Sequence, residues 1–258
     1  MTYIIYLITG FLAGVIGGLL GTGGCALMMP VIRFGFHFDP AIAVGTTLTA
    51  VVFTAASGAY QHIKMKNVDK NTAWIVALSG IFGVIIGSIV FGYIKNYGNV
   101  IDLILGVAFF VVSLRMMYEG ILSRGPKNPV EDKMPGTKTT KSILGSFIGF
   151  LTGIIGLGGG YALVPSFIYF LSAPVKLAIG TSMASFVWIA LVGAVFKIYQ
   201  GVVNIPVAIT LGIGALIGAI YGAKLVAKFK PNALKALFGL LFLYVSLKYI
   251  LIYFGIAI

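Results

Sequence analysis

Carboxylates are scarce in this sequence: Asp and Glu number 6 against 18 Lys and Arg, and charged residues make up 9% of 258 positions. Soluble domains carry about a quarter. With 59% hydrophobic residues and a mean hydropathy of +1.06, an ordinary soluble fold is excluded. The single cysteine, Cys25, excludes an intrachain disulfide and a thiol-rich metal site. No G-x-x-x-x-G-K-[ST] phosphate loop is present, so the chain is not expected to hydrolyse ATP. H-E-x-x-H, G-x-S-x-G and clustered His/Cys are also missing, so no catalytic residues, metal or cofactor are expected, and the chain is not read as an enzyme. The net charge of +12 does not point to nucleic acid. Many basic residues lie in short loops or near the ends of apolar stretches, where they anchor helices beside anionic lipid.

What is abundant is long apolar sequence. Stretches run over Thr2–Ile32, Ala41–Ile63, Thr72–Ile94, Val100–Met117, Ser142–Leu171, Leu177–Ile198, Ile205–Val226 and Leu234–Ile256. Most have the about 20 residues that span a bilayer as helix. Lipid offers the backbone no hydrogen bonds, and the short alternating strands of a barrel are missing. The expectation is an all-α polytopic protein of the cytoplasmic membrane, with the lipid bilayer as its surroundings. The first stretch lacks a basic leader and stays apolar too long for a cleavable signal.

Shifting the chain by 135 residues superposes its two halves. Gly10, Gly14, Gly18, Gly21, Gly23, Gly24 and Pro30 fall on Gly145, Gly149, Gly153, Gly156, Gly158, Gly159 and Pro165. Gly45, Thr46, Gly83 and Gly87 fall on Gly180, Thr181, Gly218 and Gly222. The expected organisation is a first membrane repeat over 1–118, a polar, exposed linker over 119–141 and a second repeat over 142–258.

Each repeat opens with an apolar stretch too long for one straight span, since about thirty helical residues measure about 45 Å. Consecutive glycines interrupt it, at Gly18–Pro30 and Gly153–Pro165. Two readings follow: a tilted, broken span, or a re-entrant hairpin. If all eight stretches cross, the 18 basic residues divide 11 to 7 between the faces; if the first and fifth fold back, they divide 14 to 4. The second split fits the positive-inside bias better. It gives each half a re-entrant hairpin plus three transmembrane helices and makes the halves inverted repeats.

Inverted repeats bring the two glycine breaks together near the midplane, where a substrate site belongs. The expected substrate-binding residues are Gly21, Thr22, Gly23, Gly24 and Cys25 in the first break and Gly156, Gly158, Gly159, Gly160 and Tyr161 in the second. The helix ends after the glycines favour an anion. The hydroxyls of Thr46, Thr47, Thr181 and Ser182 are expected about 10 Å into their helices, beside the breaks, following helix starts at Asp39-Pro40 and Ser172-Ala173-Pro174 with capping side chains. His62, Lys197 and Gln200, about 25 Å along the helices from the threonines, are gating or coupling candidates; interfacial anchoring is the plain alternative. The Gly10/Gly14/Gly18, Gly83/Gly87 and Gly218/Gly222 series read as helix-packing surfaces.

These motifs resemble the TauE/SafE family of sulfite exporters: a duplicated G-x-G-G-x-x-x-x-x-P (Gly21–Pro30, Gly156–Pro165), a duplicated G-T-[ST] (Gly45-Thr46-Thr47, Gly180-Thr181-Ser182), and Lys197 followed by Gly201-Val202-Val203. The first half departs at Lys66-Asn67-Val68, which lacks the glycine. The resemblance implies a secondary transporter exporting a small sulfur oxyanion or organosulfonate of the sulfite or sulfoacetate class. An anion-selective channel is the alternative, a membrane scaffold the third reading, and a homo-oligomer is compatible with all three.

Overall fold

The computed structural model describes residues 2–121, 134–156, 160–225 and 231–254, and among them the only regular structure is helical. The order is α1 (Thr2–Leu20), α2 (Cys25–Pro30) with a π-helical turn (Val31–Gly35), α3 (Pro40–Lys64), α4 (Lys70–Ile94), α5 (Gly98–Ile121), α6 (Lys138–Ile155), α7 (Gly160–Phe170), α8 (Val175–Tyr199), α9 (Ile205–Leu225) and α10 (Pro231–Tyr253). Among the described residues α1, α3, α4, α8 and α9 are long and apolar enough to cross a membrane. Their outward faces carry large apolar side chains, such as Leu78, Phe82, Ile86 and Ile89 on α4 and Ile209, Ile213 and Ile217 on α9. Such continuous apolar surface suits lipid rather than water.

Two compact units form, each drawing on both sequence halves: Met1–Tyr93 with Asn128–Val226, and Ile94–Lys127 with Ala227–Ile258. In the larger unit the helices meet through glycine. A Cβ on Gly10, Gly14 or Gly18 would strike the backbone of Leu211, Ala215 or Ala219, and one on Gly214, Gly218 or Gly222 that of Leu7, Phe11 or Val15. The numbers rise together, so α1 and α9 run parallel. Gly145, Gly149 and Gly153 meet Val76, Gly80 and Val84 in the same way, which makes α6 parallel to α4. Helices in lipid gain little from hydrophobic exclusion and approach closely where side chains are small. Between α3 and α8 the order reverses: Gly58 faces Met183 and Gly193 faces Leu48, so these two run antiparallel.

The smaller unit pairs α5 with α10. Gly106 abuts Tyr249 and Ile250, the Ser246 hydroxyl donates to Gly106 O at 2.8 Å, and the rings of Phe109 and Tyr249 stack at 5.9 Å.

Helix starts differ from expectation in one respect. Pro40 does open α3, but Asp39 makes no side-chain capping bond, and the residue capping α8 is Pro174, which has no side-chain oxygen to offer. Working caps sit on the following helices instead: Asp69 Oδ1 accepts from Asn71 N and Thr72 N at the start of α4, and Asn204 Oδ1 accepts from Val207 N at the start of α9.

The region read as an exposed linker is also partly wrong. Lys141 is buried, and its Nζ donates to Thr72 Oγ1 at 2.7 Å and Met134 O at 2.9 Å. A polar, proline-containing segment looks solvated in sequence, but here two buried oxygens absorb its charge.

Candidate functional site

The first glycine break joins α1 to α2 through Gly21, Gly23 and Gly24, with φ of +72°, +71° and +76°. A residue with a Cβ would lose about 1–2 kcal/mol in this left-handed region. Thr22 N donates back to Gly17 O at 3.1 Å, and Cys25 Sγ donates to Thr22 O at 3.3 Å, closing the turn. In the second break Gly156, φ +65°, caps α6 by donating to Thr152 O. Gly158 and Gly159 lie outside the described residues, and Gly160 and Tyr161 open α7.

Each break meets the other half. A Cβ on Gly21 would meet Ile179 and Val164, and one on Gly156 would meet Val44, the residue that matches Ile179 under the 135-residue shift. The Ser182 hydroxyl lies 3.1 Å from Gly21 O and 2.8 Å from Ile179 O. Gly23 sits between Val51 and Phe186, near the middles of α3 and α8. Thr47 Oγ1 is 3.9 Å from Met29 Sδ.

Thr46 and Thr181 have another partner. Thr46 Oγ1 accepts from Asn204 N, and Thr181 Oγ1 from Asp69 N, both at 3.0 Å. These two bonds also map onto each other under the shift. Each threonine anchors the turn that launches the other half's last helix of this unit, and its hydroxyl proton remains available to donate.

His62 and Lys197 are fully buried. His62 Nε2 lies 3.4 Å from Gly18 O, and Lys197 Nζ donates to Gly153 O at 2.7 Å. Both oxygens belong to the last turns of α1 and α6, where helical carbonyls lack partners, so each side chain caps a helix that stops inside the structure. His62 also packs against Gly180, one residue before Thr181. The expected separation from the threonines of its own half is therefore beside the point: the fold places it beside those of the other. Gln200 Nε2 donates to Ser88 O at 2.6 Å.

Sequence reasoning missed Ser88, Phe91 and Asp69, because their relevance comes from contacts made across the two halves. Asp69 lies in the turn between α3 and α4. Partial burial pushes its carboxyl upward, but bonds from the Thr72 hydroxyl at 2.7 Å and from Met134 N and Thr72 N, with Lys141 nearby, outweigh this and hold it below the ordinary value. Among the described residues the buried atoms Thr22 Oγ1, Thr54 Oγ1, His62 Nδ1 and Ser88 Oγ have no hydrogen-bond partner. Such groups usually find partners, in protein, water or ligand. Among the described residues no three His, Cys, Asp or Glu side chains gather as a metal site.

The relatives of this chain agree with a membrane role. It is 27% identical over 275 residues to the probable membrane transporter protein YunE of Bacillus subtilis, covering 99% of both chains. It is 28% identical to YdhB of the same organism, with 83% of this chain and 86% of that one covered. A probable membrane transporter of Methanocaldococcus jannaschii, MJ0441, is 26% identical over 89% and 88% of the two chains. No solved structure matches. The model of the family described as sulfite exporter TauE/SafE matches residues 6–249, nearly the whole chain, and the protein is a member of that family of membrane transporters.

Proposed function

We propose that the protein is a secondary transporter that exports a small sulfur-containing oxyanion or organosulfonate across the cytoplasmic membrane, by alternating access between two inverted repeats. The observation that carries this reading is the reciprocity of the contacts around the breaks: Gly21 with Ile179 and Gly156 with Val44, Asn204 with Thr46 and Asp69 with Thr181. Helix directions support the inversion. The turns at 65–69 and 200–204 reverse α3 into α4 and α8 into α9. With α1 parallel to α9, α6 parallel to α4 and α3 antiparallel to α8, α1 and α3 point one way and α6 and α8 the other. The segment between α1 and α3 must then fold back, as in a re-entrant hairpin. Inverted repeats with helices broken inside the membrane are a common basis for alternating access.

Charge supports an anion. Within the larger unit the described carboxylates, Asp39 and Asp69, lie in turns between helices, whereas the buried basic side chains are His62, Lys141 and Lys197. Hydroxyls at the breaks (Thr22, Thr46, Thr47 and Thr181) supply donors for an oxyanion, with Ser182, whose proton is held by Gly21 O and Ile179 O, and Gly21, Gly23, Gly24, Cys25, Gly156, Gly158, Gly159, Gly160 and Tyr161 shaping the site. His62, Lys197 and Gln200 close its far sides. An inside-negative potential of 100 mV favours efflux of a monoanion by about 2.3 kcal/mol.

The test is efflux of radiolabelled sulfite, and then of C2 sulfonates, from liposomes containing the purified chain. Saturation and counterflow are expected. Unsaturable anion currents would replace the carrier by a channel, and no acceleration for any sulfur anion would end the transporter reading.

A further inference from the structure

Lys197 is the most costly side chain in the larger unit. It is fully buried in the last turn of α8, and a charge at such a site is retained only where something balances it. Its ammonium, 2.7 Å from Gly153 O, also lies 3.2 Å from the centroid of the Phe91 ring. A carbonyl and a π face are favourable neighbours, but neither carries a formal charge. Among the described residues no carboxylate pairs with Lys197.

One turn before Phe91 on α4 stands Ser88, also fully buried, with a hydroxyl that has no hydrogen-bond partner among the described residues. The backbone around it is tightly committed. Ser88 O receives Gln200 Nε2, and Ser88 N lies against Gly153, the residue whose carbonyl holds Lys197. An ammonium, an unused hydroxyl and a glutamine are thus gathered where α4, α6 and α8 meet.

Helix capping alone does not account for this trio. Under the 135-residue shift Lys197, Ser88 and Gln200 correspond to His62, Ala223 and Met65. At that equivalent place His62 covers Gly18 O, with Ala223 and Met65 at the positions that match Ser88 and Gln200. The cap explains one contact, and the buried cation and the unused Ser88 hydroxyl call for another ligand.

We infer that Lys197, Ser88 and Gln200, at the far side of the second glycine break, form an anion-binding station that takes a small oxyanion on one side of the transport path. The oxyanion supplies the missing negative charge to Lys197 and an acceptor to Ser88, and a sulfite or sulfonate group presents three oxygens for those donors. This inference rests on the proposal that the protein moves an anion.

Equilibrium binding of radiolabelled sulfite to the purified full-length chain in uncharged detergent tests it, alongside efflux and thermal unfolding of the same samples. Lys197→Gln keeps an amide donor for Gly153 O but removes the charge, and is expected to weaken binding about 10- to 100-fold with little change in unfolding temperature. Ser88→Ala removes only one oxygen and is expected to weaken binding about 3- to 10-fold. Lys64→Gln, which removes an exposed lysine, serves as control and is expected to bind as the parent does. If Lys197→Gln and Ser88→Ala both bind sulfite as tightly as the parent while the parent exports it, the station is wrong and the transport reading stands. Lys197-dependent binding without efflux would uphold the station and remove the transport reading. Absence of both binding and efflux in the parent overturns both.

Discussion

The C-terminal ends of α3 and α8 occupy matching places yet differ in chemistry. At one, His62 covers Gly18 O; at the other, Lys197 covers Gly153 O and adds Phe91, with Gln200 and Ser88 beside it. The launching turns differ likewise. Asn204 caps α9 without a formal charge, whereas Asp69 caps α4 and is drawn into a cluster with Thr72, Met134 and Lys141. Backbone contacts are kept in both halves, because a glycine that touches a carbonyl leaves no room for drift. Side chains that only need to reach a carbonyl are free to diverge. The two matching ends of one scaffold therefore carry unequal charge.

The largest expected effect tests what the halves share. Gly23→Val combines about 1–2 kcal/mol of left-handed strain with about 1–3 kcal/mol of overpacking against Val51 and Phe186. Efflux should fall at least about 100-fold, equivalent to about 2.7 kcal/mol, with the protein still inserted. Gly156→Val should do the same against Val44, and a much weaker effect there would break the equivalence of the two breaks.

Next come the paired threonines. Thr46→Val and Thr181→Val each orphan one backbone N–H, of Asn204 and Asp69, at a cost of about 1–3 kcal/mol. Nearly equal drops in unfolding temperature are expected. A drop confined to Thr181→Val would mean that the Asp69 turn alone is critical.

Asp69→Asn converts one turn into a copy of the other. The carboxyl is only partly buried, so screening limits the loss to about 1 kcal/mol at neutral pH. Because the folded-state pKa lies below the unfolded one, the stabilisation is complete above the ordinary carboxylate value of about 3.9 and disappears as pH falls through the folded value. Unfolding curves of parent and variant should therefore converge in acid, and a gap that persists there would contradict the assignment of this stabilisation to the ionised carboxylate.

The smallest effect is expected for His62→Gln, since an amide also reaches Gly18 O: under about 1 kcal/mol, or about fivefold in efflux. A larger loss would show that the imidazole does more than cap α1.

Much of this was legible in sequence because the internal repeat is strong. The eight apolar stretches, the packing series at Gly10, Gly14 and Gly18, and the left-handed break at Gly21–Gly24 follow from spacing and composition. What escaped depends on contacts over long sequence separations. A helix-rise estimate puts His62 far from Thr46 and Thr47 of its own half, and nothing local reveals that Gly180 lies against it. Composition likewise assigns Lys141 to solvent, because the two oxygens that receive it come from Thr72 and Met134. The absence of a capping bond from Asp39 shows a plausible local rule losing to the fold.

The glycine interface of α1 also sets an order of events at the ribosome. The surface that receives Gly10 and Gly14, at Leu211 and Ala215, is synthesised about 200 residues later. At about 5–20 residues per second, α1 waits about 10–40 s for its partner. The groove between α4 and α6 closes after only about 70 residues. The two matching seams are thus made at very different times, and α1 waits far longer for its partner than α4 does.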